Sequence, residues 1–249
     1  YRVIINVPIS IASAMASSSV PALTTAFKGG DMDLVRSRIH SATRFIMVIA
    51  FPCTVGIFVL AQPIQMLLFS DTDPTSGYML MVGAISVLFY SLSTLSNGLL
   101  QGIDRLRIPV KNAAISLVLQ AGFLLAAMQF FRAGIYAVIL ANAFYAFMMC
   151  LLNGLAVKKY SGTKQDVRKT FILPLIGSAI MGIATFIVYK MVVVALRSNA
   201  IATIIAILVA MVVYFVVMLL LGGITREELN RVPHGDRLIR LAEKMHLLK

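Results

Sequence analysis

Uncharged polar side chains recur at helical spacing inside stretches of the chain that are otherwise apolar. Ser93, Asn97 and Gln101 are four residues apart, so they share one face of a helix. A second stripe has three- and four-residue spacing and comprises Asn6, Ser10, Ser13 and Ser17. In hydrocarbon such faces are unfavourable unless they pack on another helix or line a wet cavity. These side chains therefore either form hydrogen bonds between packed helices or line the wall of a hydrated path, and the sequence is compatible with both. Gln120 and Asn142 are two further candidates for such a wall.

Arginine side chains lie in the breaks beside the apolar stretches. A guanidinium can bind two phosphate oxygens through parallel hydrogen bonds, so these side chains could meet an anionic headgroup. The candidates are Arg36, Arg38, Arg44, Arg105 and Arg107. Membrane orientation alone also explains basic residues in such breaks, and the sequence does not decide between the two interpretations.

Residues that could support catalysis or hold a metal are not grouped in this sequence. The three histidines, His40, His234 and His246, are far apart, and Cys53 and Cys150 fall inside apolar runs as small buried hydrophobes. There is no Ser/His/Asp set, no carboxylate pair in an apolar run and no glycine-rich phosphate loop. We therefore predict a protein that is not an enzyme, with no catalytic residue, metal or cofactor.

Composition is typical of a membrane protein. Of the 249 residues 59% are hydrophobic and only 13% are charged, whereas soluble proteins average about 25% charged residues. The net charge of +12 is confined to the breaks between apolar runs rather than gathered on a soluble patch with aromatics, which disfavours nucleic acid as a partner and favours membrane lipids.

Seven charge-free runs are each at least 20 residues long, the length that crosses about 30 Å of hydrocarbon as a helix. We therefore predict an all-α polytopic membrane protein. The spans cover about residues 3–27, 45–70, 74–103, 112–131, 133–157, 170–189 and 198–225.

Basic residues are distributed unequally between the two sides that these spans define. Eighteen of the 22 lysines and arginines fall on one side, which by the positive-inside rule is the cytoplasm. The sequence thus predicts an N-terminus outside and a C-terminus inside. Residues 226–249 form the tail, whose apolar side chains at Leu238, Leu241 and Met245 share one helical face. This pattern predicts a short amphipathic helix on the inner membrane surface, with a solvated helical tail as the alternative.

Four stretches resemble one transporter family. They are IASAMASSSVPALTTAFKGGD at residues 11–31, FPCTVGIFVLAQPIQMLLF at 51–69, NGLLQGIDRLRIPVKN at 97–112 and EELNRVPHGDRL at 227–238. They are similar to the polysaccharide transporter branch of the multidrug/oligosaccharidyl-lipid/polysaccharide exporter superfamily. The similarity is closest to the stage V sporulation protein B-like group, which includes lipid II flippase candidates.

The resemblance implies a protein of 14 helices that works by alternating access in the cytoplasmic membrane of a bacterium. The resemblance further implies that this chain is helices 8 to 14. The chain begins with Tyr1 rather than Met, and no signal peptide precedes the first apolar run, so we interpret it as a fragment whose partner is the missing N-terminal half. Residues 1–157 would form a lobe and residues 158–225 two additional helices. In some relatives the fourth span carries an interior charge, but the nearest polar position here is Gln120, which weakens any ion or pyrophosphate site on that helix.

The favoured function is a flippase that moves an undecaprenyl-linked saccharide, lipid II or a polysaccharide precursor, outward for cell-wall synthesis. A cation-coupled multidrug antiporter of the same superfamily is an alternative, although no carboxylate lies near the middle of a span. A non-transporting scaffold for envelope assembly also fits. A seven-helix receptor matches the topology, but the tight loops and the absence of a lysine in the last span weigh against it.

Overall fold

The computed structural model describes residues 2–70, 73–130 and 134–223, and this part of the chain is helical without a strand. The helices are α1 (Arg2–Lys28), α2 (Met32–Val59), α3 (Ala61–Phe69), α4 (Pro74–Gly102), α5 (Arg107–Phe130), α6 (Gly134–Ser161), α7 (Leu173–Leu196) and α8 (Asn199–Leu220), with a π-helical turn at Arg168–Ile172 before α7. All except α3 are long and apolar enough to cross a membrane, which confirms the predicted all-helical fold with seven spans. The predicted tail helix lies outside the described residues.

Helix α2 begins well before the apolar run that marks its span in the sequence. Asp31 caps its first turn by accepting a hydrogen bond from the Leu34 amide at 2.9 Å. The helix ends at Val59 because Pro63 has no N–H for the Val59 carbonyl and its ring crowds that group. The chain then continues as the separate short helix α3, so the single predicted span at 45–70 is two helices in the structure.

Helix α4 is the centre of the bundle. It packs against α1, α2, α3 and α6, and its inward side chains include Leu80, Val87, Leu95 and Leu100, all fully buried. Helix α5, by contrast, packs mainly on α6 and leaves most of its surface open. The architecture is therefore a core around α4, with α5 at one edge and the α7–α8 pair attached through α2 and α3.

Small residues let α4 approach α1 closely. Gly98 and Gly102 are four residues apart on α4 and face Ala16 and Leu23 of α1. A methyl group built on Gly98 would lie 2.8 Å from the Ala16 Cβ and 3.2 Å from its Cα, so the backbone itself blocks a larger side chain. Such small-residue contacts are a principal source of helix association in lipid, where the hydrophobic effect does not act between helices.

Asparagine side chains join α4, α5 and α6. The Asn153 amide on α6 donates to Asn97 Oδ1 on α4 at 2.6 Å and accepts from Asn112 Nδ2 on α5 at 2.8 Å. One level further along the α5–α6 pair, Gln120 Nε2 donates to Asn142 Oδ1 at 3.0 Å. Two rungs of hydrogen bonds therefore hold α5 on α6, and the first rung extends to α4.

The end of α8 is held against α2. Arg44 is 8% exposed, and its Nη2 donates to the Gly223 carbonyl at 3.0 Å, just after α8 ends. Tyr214 of α8 also donates its hydroxyl to the Val48 carbonyl of α2 at 2.8 Å. Since Arg44 lies three turns into α2, the segment 32–43 extends past the end of α8. This projecting segment carries Arg36, Arg38 and His40.

The contact between Gly98 and Ala16 leads to a stability prediction. We expect Gly98→Ala to lower the free energy of unfolding by about 1–3 kcal/mol, because the added methyl forces α1 and α4 apart. Thermal unfolding of the purified protein in detergent measures the effect. Gly122→Ala is the matched control, because a methyl there meets nothing within 4 Å. Equal unfolding midpoints for the two variants would contradict the close contact.

The asparagine rungs lead to a second stability prediction. Asn153→Leu removes two interhelical hydrogen bonds and Gln120→Leu removes one, and such bonds average about 0.6 kcal/mol each. We therefore expect about twice the loss of unfolding free energy for Asn153→Leu. Unfolding in mixed micelles measures both variants. A smaller loss for Asn153→Leu than for Gln120→Leu would show that the three-helix rung is not formed.

Candidate functional site

The two faces of α1 have opposite environments. Ala12 and Ala16 are 0% and 6% exposed against α4, whereas the four residues of the predicted polar stripe are all exposed: Asn6, Ser10, Ser13 and Ser17. The Ser10 hydroxyl donates to the Val7 carbonyl at 2.7 Å, within its own helix. The stripe thus lies at the surface of the described bundle and is uncharged.

A polar groove lies between α1 and α2 where α2 projects past α8, with a cavity volume of about 400 Å³. We call it the serine groove, and its polar lining is Ser18, Ser19, Ser37, Arg38 and Ser41. The hydroxyls of Ser18 and Ser19 donate to the Met15 carbonyl at 3.0 and 2.7 Å, so their remaining capacity is to accept hydrogen bonds. Arg38 is exposed and is the charged residue of this lining.

A second cavity of about 300 Å³ lies between α1, α4 and α6, nearer the other end of the bundle. Its lining brings together Asn6 and Asn142, which the sequence had placed in separate spans, and adds Ser86 and Tyr90. Asn142 also accepts the hydrogen bond from Gln120, so this rung of the α5–α6 pair borders the cavity. Polar groups therefore occur at both ends of the exposed stripe on α1.

The predicted face on α4 does not form one open wall. Ser93 is 4% exposed and donates to the Tyr90 carbonyl at 3.0 Å, and Asn97 is engaged by Asn153. Gln101 is exposed at the end of the helix. For Ser93 and Asn97 the structure therefore favours helix packing over the cavity interpretation, because Ser93 is buried and Asn97 is bonded to α6.

The five candidate arginines lie in different surroundings. Arg44 is buried against Gly223, and Arg36 Nε donates to the Ser161 carbonyl at 3.1 Å. The Arg105 guanidinium lies 4.7 Å from the centroid of the Tyr160 ring, while Arg107 is exposed at the start of α5. Arg38 is the member of this set that lines the serine groove. Burial makes Arg44 a packing residue, since a headgroup cannot reach it without breaking its contact with α8.

Sequence reasoning missed several residues of this region. It treated residues 28–44 as a basic break, and so overlooked Ser37 and Ser41, whose four-residue spacing puts them on one face of α2. It also did not connect Asn112 with Asn153. Over the described ranges, no group of three His, Cys, Asp or Glu side chains could hold a metal ion.

Comparison with known proteins gives a family and two relatives. The family model for lipid II flippase MurJ matches residues 2–221. A lipid II flippase MurJ of Bacillus subtilis (strain 168) is 27% identical over 190 residues, which cover 74% of this chain and 34% of that protein. The uncharacterized membrane protein YabM of the same organism is 25% identical over 239 residues, covering 94% of this chain and 44% of YabM.

The chain thus spans between a third and a half of the length of these relatives. The family match, in contrast, includes every described helix, from the polar stripe of α1 and the serine groove to the end of α8. This multi-pass membrane protein therefore belongs to the lipid II flippase MurJ family, whose members are flippases.

Proposed function

We propose that the chain is the C-terminal half of a flippase that moves an undecaprenyl-linked saccharide, such as lipid II or a polysaccharide precursor, across the cytoplasmic membrane. Family membership and the coverage of less than half of each relative support this proposal. In this arrangement the seven spans, which are all the described α-helices except α3, are helices 8 to 14 of 14, and the N-terminal half closes the open side of α1. The proposal keeps a lobe at 1–157 and two additional helices, α7 and α8, which pack on each other and on α2.

The observation that carries the proposal is the exposed polar stripe of α1. A stripe of Asn and Ser cannot face hydrocarbon without loss of free energy, and the described bundle does not cover it. From Ser17 to Asn6 it extends about 16 Å along the helix, about half the thickness of the hydrocarbon layer. A hydrated cavity between the two halves accounts for a polar surface of this length and position.

The proposed path of the headgroup begins at a positive charge and continues along neutral polar groups. A phosphate of the headgroup first meets Arg38 in the serine groove, where a guanidinium can bind two of its oxygens. It then passes the neutral stripe and reaches the cavity that Asn6 and Asn142 share. Neutral hydrogen-bonding groups exchange readily with water, so the headgroup is guided without being held. Arg105 and Arg107, at the same end of the bundle, add to the attraction of the anion.

Water access to the stripe tests the cavity. Ser13→Cys on α1 and Ala121→Cys on α5 are both exposed on the described bundle, but the proposal puts the first in water and the second in lipid. In full-length protein without Cys53 and Cys150, a water-soluble thiol reagent should label position 13 and spare position 121. No labelling at position 13 in any state, or equal labelling at both, would rule out the cavity.

Transport of a lipid-linked saccharide in proteoliposomes tests the headgroup contact. Loss of a hydrogen bond to a charged group weakens an interaction by about 1.5–3 kcal/mol, so Arg38→Gln should slow translocation about tenfold or more. Arg168→Gln removes an exposed arginine at the same end but outside the groove, and it should transport normally. Normal transport by Arg38→Gln would remove the serine groove from the path, and a full-length protein that moves no lipid-linked saccharide would favour a scaffold.

Orientation is tested separately. The proposal puts Lys164, between α6 and α7, in the cytoplasm, and Thr75, at the start of α4, outside. Single cysteines at these positions in intact cells should differ in labelling by an impermeant reagent, with position 75 labelled and position 164 protected. The reverse pattern would invert the topology.

A further inference from the structure

Besides the serine groove, a second groove lies on the other side of the projecting segment of α2, away from α1, and its lining is basic. Its volume is about 380 Å³, and it is lined by Arg36, Ser37, His40, Gly162, Thr163 and Lys164. Three of these residues come from α2 and three from the connection between α6 and α7. We call it the basic groove. Ser37 borders both grooves, whereas Arg36 belongs to the basic groove and Arg38 to the serine groove.

The Arg36 guanidinium is fixed at the edge of the basic groove. Its Nε donates to the Ser161 carbonyl and its Nη1 to Asp33 Oδ1, both at 3.1 Å. Its Nη2 faces Gly162, where a Cβ would come within 3.4 Å of it. Gly162 has φ +66°, a conformation that glycine adopts readily, so the backbone turns here without placing a side chain over the guanidinium. Two nitrogens of Arg36 thus hold its orientation, and the third is directed toward the connection.

His40 holds the other side of the connection. The Thr43 hydroxyl donates to the Ile39 carbonyl at 2.8 Å and accepts from Gln165 Nε2 at 3.3 Å. The Gln165 oxygen therefore faces His40 Nδ1 at 3.0 Å, which places the hydrogen on that ring nitrogen. Segment 161–165 is in this way tied to α2 by the side chains of Arg36, His40 and Thr43. Lys164 is exposed and lines the same groove as Arg36.

The carboxylates near the basic groove do not cancel its charge. Asp33 forms an ion pair with Arg36, but the Asp33 side chain is 94% exposed to solvent. Asp166 accepts a hydrogen bond from the Lys169 amide in the first turn of the π-helical segment. The segment 158–169 contains five basic residues against this one aspartate. The groove is therefore electropositive and has a hydrogen-bonded arginine on one wall and an exposed lysine on the other.

We propose that the basic groove binds the phosphate of an anionic phospholipid, such as phosphatidylglycerol, from the leaflet at this end of the bundle. The contact of Arg44 with Gly223 marks the level where α8 ends, and the groove lies on the α2 turns beyond it, at the depth of lipid headgroups. Basic pockets at helix ends attract anionic lipids. The bound lipid bridges α2 to the connection that leads to α7, and so stabilises the attachment of the α7–α8 pair.

Lipid binding by the full-length protein in nanodiscs tests the inference. Phosphatidylglycerol is titrated into phosphatidylcholine discs, and retained lipid is counted by native mass spectrometry. Arg36→Gln/Lys164→Gln should weaken phosphatidylglycerol binding about 25-fold, at about fivefold for each lost cation. The matched control is Lys28→Gln/Lys111→Gln, which removes two exposed basic residues from the same end of the bundle and should bind like the wild type. Wild-type binding by the groove variant, or equal weakening in the control, overturns the proposal.

Three further measurements distinguish a phospholipid site in the basic groove from a site for free anions and from the serine groove. Lys164→Gln alone leaves the Arg36–Ser161 contact intact and should bind about fivefold more weakly, so wild-type binding by this variant also contradicts the proposal. Inorganic phosphate at the lipid's concentration should not displace phosphatidylglycerol; displacement would show a site for free anions instead. Arg38→Gln should keep lipid binding while translocation slows, and a parallel loss of lipid binding would show that the two grooves are one site.

Discussion

The contact of Gly98 with Ala16 sets the distance between α1 and α4, and the two faces of α1 follow from it. Apolar helices gain nothing from the hydrophobic effect when they associate in lipid, so close backbone packing has to supply much of the attraction. Because Ala12 and Ala16 must face α4, residues on the opposite side of α1 must face outward. The polar stripe is therefore left free by the same contact that holds the bundle together.

Polar side chains in these helices serve two different purposes. Asn97, Asn112 and Asn153 are linked by two hydrogen bonds, so uncharged side chains join this part of the bundle. Ser13 and Ser17 have the same uncharged character but are not covered by any described helix. Residue type alone does not separate the two cases, because the surrounding helices decide whether a polar group meets a partner or an open surface.

The projecting end of α2 places basic side chains in two separate grooves. Arg36 and Arg38 are two residues apart, and residues at that spacing point to opposite sides of a helix. One side chain is held by the α6–α7 connection, while the other stands beside the serines of α1 and α2. A single short segment can in this way serve a transported headgroup on one side and the surrounding bilayer on the other.

The sequence by itself determined the number of spans, the helical class and the concentration of charge at one end of the bundle, because a charge-free run of 20 or more residues crosses hydrocarbon as a helix and charge is excluded from that layer. It did not determine the extent of α2 or its separation from α3, since the projecting turns are polar and resemble a loop. The tertiary structure decided that Asn97 packs on Asn153, that Arg44 is buried against Gly223 and that Asn6 meets Asn142 in one cavity. Each of these contacts joins helices that are distant in sequence, and the periodicity of one helix carries no information about which neighbour covers each of its faces.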